Sequence, residues 1–167
     1  MATKSLGLVP EDHYAVLAAA IRANTDPAIV TALSVRDDDT ICNYYNVLTT
    51  TSAWRESVSR EDLFEMMPIT VFDGLSPGKR DAWKLMLEQA ETTPLDFGKA
   101  KLRAAIRDIW QTGNGDDILN ACTRKATRCE MLYGGTVEAS GSVSATDLVV
   151  EQPVLTTYHV SVALNQY

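Results

Sequence analysis

Apolar residues recur three and four positions apart from Tyr14 to Tyr133. That spacing places them on one face of an α-helix. Tyr14, Leu17, Ala18 and Ile21 form the first stripe, behind Pro10, Glu11 and Asp12, a proline and two acids suited to a first helical turn. Asp26 and Pro27 supply a cap and a first-turn proline for a helix bearing Ile29, Val30 and Leu33. Asp37-Asp38-Asp39 opens a third helix, with Ile41, Tyr44, Tyr45 and Leu48, and Thr49 to Ser52 read as a loop. Ser59 with Asp62 three residues on is close to a capping box, and Pro68 closes the helix of Leu63, Phe64, Met66 and Met67. Ser76-Pro77 begins a strongly amphipathic helix through Trp83, Met86 and Ala90. Asp96 is placed to cap another, carrying Leu102, Ala105, Ile106, Ile109 and Trp110, and Gly113-Asn114-Gly115 breaks it. Asp116 then opens a last long helix through Ile118, Leu119, Cys122, Ala126, Cys129, Leu132 and Tyr133, stopped by Gly134-Gly135.

After these glycines the period changes. Val137 to Val150 mixes small and β-branched residues around Gly141, which suits two short strands or an extended hairpin, and Pro153 interrupts it. Val154 to Leu164 reads either as an alternating strand or as a short helix capped by Thr156 or Thr157, the helix being favoured. The expected fold is therefore mainly α: a compact bundle of six or seven short helices over residues 1–135, with a C-terminal extended or β arm over residues 136–167. An arm of that length is suited to gripping a neighbour. Its apolar positions, Val149, Val150, Val154, Leu155, Tyr158, Val160, Val162 and Leu164, are the expected partner-binding residues, together with Trp54, which stands beside a loop.

Charge and cysteine content narrow this picture. The net charge of −7 argues against non-specific nucleic-acid or anionic-membrane binding, which needs a positive field. Three sparse cysteines, Cys42, Cys122 and Cys129, do not make a secreted disulfide framework. On one helix Cys122 and Cys129 would share a face about 10 Å apart, too far to bond, so buried, inert thiols are expected. The first residues lack an apolar segment of secretory length, and the run from Tyr14 to Ile21 is far short of the ~20 residues of a membrane span. A cytoplasmic site of synthesis and assembly is expected.

No catalytic motif is legible, and neither an enzyme nor a cofactor or metal requirement is expected. His13 and His159 stand outside any metal-ligand spacing. Asp37-Asp38-Asp39 could hold a hard cation such as Mg²⁺, but acids at a helix N-terminus serve capping. Gly113-Asn114-Gly115 lacks the lysine and hydroxyl of a phosphate loop. Lys99, Lys101, Arg103 and Arg107, with Arg124, Lys125 and Arg128, suggest two basic helix faces: solvated surfaces, or a contact with an acidic neighbour in a ring, where heterologous contacts join unlike faces.

The segments Leu75 to Trp83, Asp96 to Trp110 and Ala126 to Leu132, with Leu17 to Pro27, resemble small virion proteins encoded in the structural gene cluster of tailed bacteriophages. The likeness covers residues 10 to 135 and carries no residue-level binding motif. It implies a head–tail connector of the adaptor or head-completion kind. Such a subunit would form a ring, of twelve copies or of six nearer the tail, between portal and tail-completion proteins in a virion assembled in the host cytoplasm. A capsid decoration or other tail-proximal protein is the alternative within the same class. A helical protein-binding module outside any virion is the alternative beyond it.

Overall fold

The computed structural model describes residues 12–111, 113–148 and 154–167. Among them ten helices and four strands follow in the order α1 (Asp12–Arg22), α2 (Pro27–Val35), α3 (Asp38–Asn46), β1 (Leu48–Trp54), α4 (Arg60–Met66), α5 (Ile69–Phe72), α6 (Pro77–Thr92) and α7 (Ala100–Trp110). The chain continues with α8 (Asn114–Ala121), β2 (Thr123–Thr127), α9 (Arg128–Met131), β3 (Gly135–Ser140), β4 (Val143–Leu148) and α10 (Thr157–Gln166). The strands form one sheet in the order β2-β1-β4-β3. β1 and β4 run parallel, with Ala53 opposite Thr146. β3 and β4 are neighbours joined through Gly141 and Ser142, a connection that only antiparallel strands allow. The fold is thus α/β with a mixed sheet, and the expected helical bundle with a C-terminal arm is incorrect.

Three local readings produced that error. The threonines at 49–51 belong to β1, where their β-branched side chains are favoured. The long helix expected from Asp116 to Tyr133 is cut by β2 into α8 and α9. Thr127 starts the second piece: its hydroxyl accepts from Glu130 N–H, while the Glu130 carboxylate accepts from Thr127 N–H, a complete capping box. Cys122 and Cys129 consequently lie on different elements. The third error was the arm, since β3 and β4 belong to the sheet and α10 packs in the core of α1 and α3.

Other local readings hold. Asp26 accepts from Ala28 N–H with Pro27 in the first turn, and Ser59 with Asp62 forms a capping box on α4. Asp37 caps α3 by accepting from both N–H and hydroxyl of Thr40, which holds its carboxyl below the ordinary aspartate value. Lys99, rather than Asp96, is the N-cap residue of α7, and Asp96 accepts from Gly98 N–H. The hairpin around Gly141 and the terminal helix are both present.

Contacts divide the chain into two units that do not follow chain order. One comprises the described residues up to Thr51, with Lys125–Thr136 and the described residues from Leu148 to Tyr167. Its core joins Leu17 and Ile21 of α1, Ile41 and Tyr45 of α3, and Val160 and Leu164 of α10. The Asn46 side chain brackets the peptide of Leu155: its Oδ1 accepts from Leu155 N–H at 2.6 Å and its Nδ2 donates to Leu155 O at 2.8 Å. The Cys42 thiol donates to the same carbonyl at 2.8 Å. Leu155, Val160 and Leu164 are buried, and each contributes about 2 kcal/mol by apolar transfer.

The other unit comprises Ser52–Arg124 and Val137–Asp147. Its core is built on Trp54, Trp83, Phe97, Ile106, Trp110 and Leu119. Trp83 and Trp110 meet edge to face, centroids 5.1 Å apart. Val58 and Leu95 exchange two backbone hydrogen bonds, of 3.0 and 2.9 Å, tying the segment before α4 to the segment after α6.

Candidate interaction surfaces

In the second unit, two arginines one turn apart on α7 organise the polar interior. Arg103 stands among Leu102, Ile106 and Trp110 on a helix whose buried side would otherwise be apolar, and only 2% of it is exposed. Its Nη1 donates to the carbonyls of Phe97 and Gly98, both at 2.7 Å. Its Nη2 pairs with the Glu138 carboxylate of β3, and its guanidinium lies 4.7 Å from the centroid of Trp54. Acceptors at both amino groups and a stacked indole offset the cost of burying the charge.

One turn on, Arg107 pairs with Asp116 of α8 and reaches the carbonyl of Ser140 at 3.4 Å. Asp116 also accepts from the Ser142 hydroxyl at 2.5 Å. The Ser142 bond and then the Arg107 charge hold the Asp116 carboxyl below the ordinary aspartate value. Gly141, with φ of 65°, lies directly against the Arg107 guanidinium. Helix α7 thus grips the β3–β4 hairpin at Glu138, Ser140 and, through Asp116, Ser142. These contacts are structural: they consume charge in holding elements together.

In the first unit, aromatic rings gather around α1 and α10. Tyr14 stacks parallel to Tyr167 at 6.4 Å and lies 6.2 Å from His159. Tyr158 is 68% exposed beside them. His159 occupies the N3 position of α10, and its Nδ1 accepts from Thr156 N–H at 3.1 Å. That role requires the neutral ring with its proton on Nε2. Burial lowers the pKa of His159, as the cap demands. A base whose folded pKa is depressed stabilises the fold fully above its unfolded value and loses that contribution as pH falls. Below about pH 6.5, wild-type stability should therefore decline. His159→Gln, which keeps an acceptor at N3, should flatten that limb in urea titrations run across the pH range.

The residues expected to bind a partner fall into distinct groups. Trp54 is buried in the core under Arg103. Leu155, Val160 and Leu164 are buried, Val162 is half-buried, and Val154 and Tyr158 are exposed. Val149 and Val150 lie outside the described residues. The expected basic faces are largely engaged within the fold. Arg103 and Arg107 hold the hairpin, Lys99 pairs with Asp96 at 3.4 Å, Lys125 donates to Thr50 O at 2.9 Å, and Arg128 lies 4.1 Å over the Tyr44 ring. All three cysteines are free and buried, and burial pushes the thiols of Cys122 and Cys129 up to about 12. Among the described residues no group of three His, Cys, Asp or Glu side chains is placed to hold a metal ion, and no helix is long and apolar enough to cross a membrane.

The structural importance of Arg103 has one trace in the sequence, a lone charge inside an apolar helical stripe. The pairing of Asp116 with Ser142 has none, since it depends on how α8 meets the hairpin. No protein-family model matches the chain, and neither curated proteins nor solved structures give a significant match.

Proposed function

We propose that this chain is a structural protein of a tailed-phage virion, of the head–tail connector kind, working through contacts with copies of itself and with portal and tail-completion proteins. The likeness of its helical segments between residues 10 and 135 to small phage virion proteins carries the reading. The polar network around α7 is compatible with it, because its residues serve cohesion.

The partner contact is assigned to the exposed positions Val154 and Tyr158, beside the half-buried Val162. Leu155, Val160 and Leu164 anchor the segment that presents them. An exposed aromatic with an apolar neighbour suits an interface anchor. A polar ring between two different structures would require heterologous contacts between subunits.

The test uses purified virions and the double variant Val154→Asp/Tyr158→Asp. Mass spectrometry should find the wild-type chain at about a dozen copies per particle, the count of a closed cyclic ring rather than a shell. The variant should fold with an unchanged thermal transition and be missing from particles. Absence of the wild-type chain from virions would sink the reading, and hundreds of copies would favour capsid decoration.

A further inference from the structure

The sheet has two edges, and they differ in kind. β2 at one edge carries Arg124 and Lys125. Charged side chains, lysine above all, are a common device by which edge strands avoid pairing with other chains. β3 at the other edge, Gly-Thr-Val-Glu-Ala-Ser, has one charge, and Arg103 holds it. β3 has no proline, and among the described residues no strand lies beyond it. An edge strand presents a row of N–H and C=O groups on its open side. Val137 stands 69% exposed on this edge, and Thr136 and Ala139 are exposed as well. The grip of Arg103 on Glu138, and of Arg107 on Ser140, fixes the strand in advance of any partner.

We infer that β3 pairs with β3 of a second copy of this chain, antiparallel across a two-fold axis, with Val137 facing its own counterpart. A two-fold contact uses the same patch on both copies, so the strand must tolerate itself. Centring the pair on Val137 sets Glu138 opposite Thr136 and Ala139 opposite Gly135, and no like charges face each other. Centring it on Glu138 would oppose two carboxylates, which is unfavourable. The same operation on β2 would bring Arg124 and Lys125 of the two copies together. Val137 and Ala139 lie on one face of the strand and Glu138 on the other, so pairing buries valine against valine while Arg103 keeps its partner. A six-residue strand makes a small interface, below the roughly 1,200 Å² of a stable complex, and the dimer is accordingly weak and concentration-dependent. The inference does not rest on the virion reading.

Sedimentation velocity on the full chain, over a concentration series reaching about 100 µM, should show reversible dimerisation that Val137→Lys abolishes with its thermal transition unchanged. Oxidation of Val137→Cys should give a covalent dimer at that position, against a background of buried native thiols. Lys125→Cys at the other edge should give none. A wild-type chain that stays monomeric throughout, as when β3 is covered by its own chain, overturns the proposal. So does a Val137→Cys protein that links only when mixed with Lys125→Cys. If Val137→Lys fails to fold, the cross-linking result decides.

Discussion

Arg103→Ala should lose about 3–5 kcal/mol of unfolding free energy, a large share of the 5–15 kcal/mol typical of a domain. The substitution strands the carbonyls of Phe97 and Gly98 and the Glu138 carboxylate, and it opens a space beside Trp54. The cost of leaving those groups without their donor exceeds the net contribution of the ion pair itself. Glu138→Gln should be milder, since Arg103 then keeps two carbonyls and a neutral acceptor. Combining Arg103→Met with Glu138→Leu should cost less than the two single changes added together, because neither charge is left alone. Urea denaturation with the slope held constant checks all five variants.

Gly141→Ala carries the second large effect, about 2 kcal/mol, or roughly 4–8 °C in Tm. Two causes add. The residue has φ of 65°, a conformation that costs any residue with a Cβ. The new methyl would also land on the Arg107 guanidinium and displace it from Asp116 and Ser140. The causes separate by experiment: in an Arg107→Ala background, Gly141→Ala should retain only the backbone part, about 1 kcal/mol. Equal costs in the two backgrounds would show that the close approach does not matter.

These effects converge on the β3–β4 hairpin, whose turn is legible in the sequence and whose place in the fold is not. The turn at Gly141 was visible because glycine punctuates a run of small and β-branched residues. Its attachment was not visible, because Glu138 meets Arg103 across 35 residues of chain. Capping chemistry was the most legible part. Asp26, Ser59 with Asp62, and Thr127 with Glu130 all act within three residues of themselves. The apolar spacing of Cys122, Ala126 and Cys129 reads as one continuous helix, and the Thr127 cap that interrupts it goes unread. Thr49 to Thr51 were read as polar loop residues although their branching favours a strand. The apolar residues from Leu155 to Leu164 are expected from their pattern to bind a partner. Periodicity could not say that Leu155, Val160 and Leu164 contact their own chain, where Leu155 is bound by Asn46.

Residues 136–167 are built into the folded units and are not an arm outside them. β4 is an interior strand paired with β1, and α10 completes a core with α1 and α3. A chain ending at Gly135 measures this most directly. It loses both elements and leaves the apolar faces of α1, α3 and β1 in water. Urea unfolding of that truncation, followed by circular dichroism and tryptophan fluorescence, should show no cooperative transition. A cooperative transition with native-like helix content and a midpoint close to that of the full chain would contradict the account and restore residues 136–167 to the status of an appendage.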